Sequence, residues 1–72
     1  MSSEIIRKVV ASHKHKWMTI PGVIGVGIGM IDGEQCIRIL VNKKDRIHEE
    51  RIPAYTNGYP VIIDEVGEIK SL

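Results

Sequence analysis

Apolar residues recur at helical spacing through the first segment of the chain. Ile6, Val10, His13, Trp17 and Ile20 follow one another at intervals of four, three, four and three, and Ile5 and Val9 widen the stripe. That period predicts an amphipathic helix over residues 3–18 with one face turned to a core. Ser2 or Ser3 can cap it, Glu4 suits the positive end of the helix dipole, and Lys14, His15 and Lys16 suit the negative end. Pro21 and Gly22 end the element.

From Val23 the period becomes two. Residues 23–31 and 34–41 are rich in Ile and Val and are separated by Asp32 and Gly33, residues that tolerate positive φ in a two-residue hairpin loop. With that loop, Ile28 is expected opposite Ile37, Val26 opposite Ile39 and Ile24 opposite Val41, all six on one packed aliphatic face. The other face then carries Gly29 opposite Cys36, Gly27 opposite Arg38 and Gly25 opposite Leu40. A shift of one residue would mix the two sets, so turn and pattern agree. The second face reads as a shallow trough, floored by Gly25, Gly27 and Gly29 and edged by Arg38 and Leu40.

Residues 42–58 are polar and thinly apolar, with Ile47 and Ile52. Arg46 and Glu50 are spaced to pair in a short helix ending before Pro53, and Asn57-Gly58 marks a turn. Tyr59 to Val66 is a third strand, closed by Gly67. The expected fold is one α+β domain over residues 1–72, with the N-terminal helix packed on a small, mostly antiparallel sheet.

Composition narrows the function classes. The 72 residues are 43% hydrophobic, but with no Phe, two Tyr and one Trp the core must be aliphatic, and a chain this short only just outweighs its own entropy. The formal charge of +1 is too small to imply nucleic acid or an anionic membrane for the whole chain. Arg7, Lys8, Lys14 and Lys16 against Glu4 alone do make residues 1–20 locally basic. The nucleic-acid reading of that face is set aside, because a charged exposed helix face is ordinary and Trp17 sits on the apolar stripe. The apolar stretch from Ile20 to Ile31 is short and broken by four glycines, so no membrane span is expected. Residues 1–4 lack the basic and apolar regions of a signal peptide, and the lone Cys36 suits a reducing compartment, so the expected location is cytoplasmic.

Several segments together resemble a known family. Ile20–Gly29, Cys36–Val41, Arg51–Pro53 and Gly58–Val61 followed by Glu65–Gly67 resemble the small accessory domain found ahead of the protease domain in some bacterial trypsin-like serine proteases. The likeness covers residues 20–68. It implies an accessory fold and brings no catalytic residue, since nucleophile, base and acid belong to the protease domain. A weaker similarity, through Pro21–Val23 and Gly58–Val61, is to the heavy-metal-associated domain. That family's paired metal-binding cysteines are missing here. The similarity implies a ferredoxin-like fold lacking its first strand, with an unpaired sheet edge open to a partner strand.

The chemistry-bearing residues form no recognisable constellation. Gly25, Gly27 and Gly29 mimic a dinucleotide loop, but Met30 holds the third glycine position and the segment continues as a strand. Gly22–Gly25 has GXXG spacing without a basic residue to grip phosphate. His13 and His15 project about 200° apart on a helix and cannot share an ion. Cys36 lies mid-strand and reads as a buried thiol, and Asp64 and Glu65 point to opposite faces. No catalytic residue, metal or cofactor is expected. The leading expectation is a non-catalytic interaction module that self-associates or docks on another protein. The alternative is a small-ligand or metal-binding domain using the trough, with Arg38 as an anion contact.

Overall fold

Helix α1 runs from Ser3 to Met18 in the computed structural model, which describes residues 3–66. The apolar stripe does what its period requires: Ile6, Val9, Val10, Trp17 and Ile20 are buried, and the His13 ring stacks on Trp17 with centroids 5.1 Å apart. Ile5, expected to widen the stripe, is instead 60% exposed, because its angular position lies beyond the helix–sheet contact. Ser2 as a cap lies outside the described residues.

Strands β1 (Val23–Ile31) and β2 (Glu34–Val41) form the expected antiparallel hairpin. Asp32 (φ 51°) and Gly33 (φ 81°) both take the left-handed conformation that a tight two-residue loop demands. Gly25 faces Leu40, Val26 faces Ile39, Gly27 faces Arg38, Ile28 faces Ile37 and Gly29 faces Cys36, as the alternation predicts. The expectation fails at one place. A bulge between Val23 and Gly25 brings Val23, not Ile24, opposite Val41, so Val23 enters the core and Ile24 is exposed. Ile28 is also 40% exposed, since the hairpin reaches past the cover of α1, where Met30 and Ile31 are exposed too.

The rest of the fold is a crossover. Helix α2 (Arg46–Arg51) links β2 to β4 (Tyr59–Glu65), which lies directly beside β2 and parallel to it, Ile37 pairing with Val61 and Ile39 with Ile63. A two-residue strand β3 (Tyr55–Thr56), which the sequence reading missed, returns antiparallel on β4 through Asn57 (φ 52°) and Gly58 (φ 86°). The four-stranded mixed sheet has the order β1-β2-β4-β3. The architecture is α+β with the N-terminal helix packed on the sheet, as expected.

The topology gives the open edge a definite place. A ferredoxin-like sheet is built from split βαβ units, whose parallel strands leave room for another strand between them. Here β4 pairs directly with β2 and closes that gap. Among the described residues, the longer unpaired edge is the outer side of β1. The core lies between the sheet and the helices, where Ile6, Trp17, Ile37, Ile39, Val41, Ile52 and Val61 form one buried cluster. Each fully buried aliphatic side chain there contributes about 2 kcal/mol of burial energy.

Candidate functional site

Among the described residues, no helix lies over the glycine side of the sheet. Alternation puts Gly25, Gly27 and Gly29 on that side, with Cys36, Arg38 and Leu40 from β2, Pro60, Ile62 and Asp64 from β4, and Tyr55 from β3. Tyr55 and Ile31 are exposed, and Leu40 and Ile62 are half-buried. The surface therefore mixes aliphatic, aromatic and charged groups on a rigid sheet.

The trough has a more definite shape than its glycines alone suggest. A Cβ on Gly25 would make ordinary contact with Leu40 Cδ1 at 3.5 Å, and one on Gly29 would collide with Arg38 Cδ at 2.5 Å. Leu40 and the Arg38 stem thus lean over the two ends. Over Gly27 there is nothing within 4 Å among the described residues. None of these three glycines has positive φ, so backbone conformation does not demand glycine at any of them.

Arg38 donates to the Asp64 carboxylate across the β2–β4 pairing, and both side chains are substantially exposed. That ion pair was not anticipated, and it answers part of Arg38's charge. An anion on the trough would have to compete with Asp64. Concave space is found instead beside α2, where a groove of about 320 Å³ is lined by Lys44, Asp45, Ile52, Pro53, Val61 and Ile63 among others. A second concavity, of about 390 Å³, is lined by Pro21, Gly22, Asn42 and His48 among others, and Arg38 lines neither of the two.

The most organised polar residue is one the sequence reading passed over. His48 is 1% exposed. Its Nδ1 accepts from the Asp45 N–H at 3.1 Å, and its Nε2–H donates to the Pro21 carbonyl at 2.8 Å, which sets the tautomer. Asp45 in turn accepts from the Arg46 N–H at 2.6 Å, so the start of α2 is closed by a reciprocal cap in which His48 takes the part usually played by Glu or Gln. Gly22 (φ +89°) makes room for this ring, for a Cβ there would lie 2.9 Å from Nε2. The Asp45–His48 spacing was the available signal. With both ring nitrogens committed to the backbone, His48 is a staple between α2 and the α1–β1 turn.

The remaining chemical candidates stay apart. Cys36 is buried beside Gly29, Glu65 accepts from the Lys44 N–H at 3.0 Å, and His15 is exposed on α1. Among the described residues, no three His, Cys, Asp or Glu side chains gather closely enough to hold a metal ion, and no ion pair joins Arg46 to Glu50. Arg7, Lys8, Lys14 and Lys16 line the exposed side of α1, but Trp17 is buried and offers no stacking surface beside them. No described helix is long and apolar enough to cross a membrane. Comparison of the chain with protein-family models, with curated proteins and with solved structures finds no match.

Proposed function

We propose that this chain is a non-catalytic interaction module that works through the uncovered side of its sheet, docking on another protein or on itself. The observation that carries the reading is Gly27. A glycine in the interior of a strand weakens it by roughly 0.5–1 kcal/mol relative to Ala, yet nothing among the described residues fills the space above this one. A surface that must admit another chain closely accounts for the glycine. Tyr55, Ile62, Leu40 and the Arg38–Asp64 pair around it supply the apolar and polar contacts such a surface needs.

The non-catalytic part is supported by what the candidate groups are already doing. His48 spends both nitrogens on the backbone, Asp64 faces Arg38, and Cys36 has no exposed sulfur to offer a substrate. The reading includes a cytoplasmic setting, supported by the lone, unpaired Cys36. A role as an accessory to a neighbouring protease domain fits the same surface.

Site-specific photo-crosslinking tests it. A photoreactive residue at position 27, carried by the chain in its native cells, is expected to give a discrete protein adduct, while the same residue in place of Arg7 on α1 gives none. Equal or absent adducts at the two positions would contradict the reading.

A further inference from the structure

Among the described residues, the outer edge of β1 is the sheet's longer unpaired edge, nine residues against the part of β4 beyond Pro60 that the two-residue β3 leaves uncovered. Natural edges are blunted by Lys, Pro, inward-pointing charge or a covering element. Residues 23–31 contain no charged residue and no proline. The bulge at Ile24 bends only the start of the strand, and Gly25–Ile31 is regular. Ile24, Ile28, Met30 and Ile31, half of the eight large apolar side chains exposed among the described residues, lie on this one strand.

We propose that this edge pairs with β1 of a second copy of the chain, antiparallel about a two-fold axis at Gly27, making one continuous eight-stranded sheet. The inference rests on the interaction-module reading and names the partner. The pattern of glycine and apolar residues in the strand, Val-Ile-Gly-Val-Gly-Ile-Gly-Met-Ile, reads alike from both ends. About Gly27, over the part of the strand that is regular on both sides, each glycine meets a glycine and each aliphatic residue an aliphatic one, Val26 with Ile28 and Gly25 with Gly29, and the bulged Ile24 comes beside Met30. A two-fold interface requires this self-complementarity.

Hydrogen-bond parity supports the same register. A two-residue loop makes Ile31 and Glu34 a hydrogen-bonded pair, so Gly29, Gly27 and Gly25 direct their N–H and C=O groups to β2. Val26, Ile28 and Met30 direct theirs outward. In the proposed register Val26 of each copy faces Ile28 of the other, and each such pair exchanges both ladder bonds. Gly27 meets Gly27 at a non-hydrogen-bonded site, where backbones approach most closely.

Charge agrees. The register lays the hairpin tip of one copy, with exposed Asp32 and Glu34, beside the α1–β1 junction of the other, the end of the fold that carries exposed Lys14 and Lys16. Pairing also covers Ile24, Ile28 and Met30, and it sets the two glycine stripes side by side as one floor.

Analytical ultracentrifugation of the full chain, with cysteine trapping, tests the proposal. The expected result is a concentration-dependent species of twice the 8.1 kDa chain mass. Ile28→Lys should weaken association about tenfold, since the change falls twice in a symmetric interface. Gly27→Cys, whose side chain has open space in the monomer, should form an intermolecular disulfide on mild oxidation, while Gly25→Cys, facing position 29 in the other copy, should not. A monomer at every concentration overturns the proposal. So does a dimer indifferent to Ile28→Lys that crosslinks no better through position 27 than through 25. In either case, a photo-adduct from position 27 to a different protein would leave the interaction-module reading standing.

Discussion

The Arg38 side chain occupies the space where a Cβ on Gly29 would sit, whereas Gly27, two residues along the same strand face, has nothing above it among the described residues. The two glycines therefore answer to different causes. One makes room for a neighbour within the fold, and the other keeps a surface clear.

In dilute protein, Gly27→Ala should leave stability unchanged or raise it by roughly 0.5 kcal/mol, because it gains strand propensity and collides with nothing. Gly29→Ala should cost up to about 1 kcal/mol, as Arg38 must swing away from Asp64. Urea denaturation of both variants decides this. A loss of more than about 1 kcal/mol for Gly27→Ala would point to internal packing and remove the main support for an open contact surface.

His48→Ala should be among the most damaging single changes. It leaves the Asp45 N–H and the Pro21 carbonyl without partners and empties a buried site, at a cost of about 3 kcal/mol. Urea unfolding measures the loss. The Ile52 amide, which donates to the His48 carbonyl at the end of α2, should also exchange faster in the variant.

Gly22→Ala should destabilise the chain by about 2 kcal/mol for two reasons acting together. Its φ of +89° is strained for any residue with a Cβ, and that Cβ would press on the His48 ring. Thermal unfolding of Gly22→Ala, His48→Ala and the double variant checks the coupling. The double variant should lose less than the sum, since removing the ring relieves the collision.

Asp64→Asn should change stability by less than about 0.5 kcal/mol, because an ion pair this exposed is screened by solvent. Chemical denaturation at low and moderate salt should give nearly the same value for wild type and variant. A large loss would mean that the Arg38–Asp64 pair organises the sheet instead of decorating it.

Local pattern carried much of the architecture. The α1 stripe, the Asp32-Gly33 loop and the two-residue alternation were enough to place the helix, the hairpin and its register from Gly25 onward. The bulge at Ile24 was not legible, since Val23 and Ile24 are equally apolar and tertiary packing chooses between them. Residues 42–58 hid their order because it comes from a single buried His48 and an Asp45 cap, not from a run of apolar positions. The open edge was not placed by the sequence, for a topological reason. No periodicity reports that β4 settles directly beside β2. The trough residues Gly25, Gly27, Gly29, Arg38 and Leu40 do share one face, but the Asp64 partner of Arg38 lies on a strand paired only through that topology.

Amide hydrogen exchange along β1, followed against protein concentration, tests self-pairing of the edge most directly. Gly25, Gly27 and Gly29 are bonded to β2 and should be protected at every concentration, whereas Val26, Ile28 and Met30 should exchange fast in dilute protein and slow down as copies associate. Fast exchange at Val26, Ile28 and Met30 up to the highest attainable concentration, with the neighbouring glycines protected throughout, would contradict it.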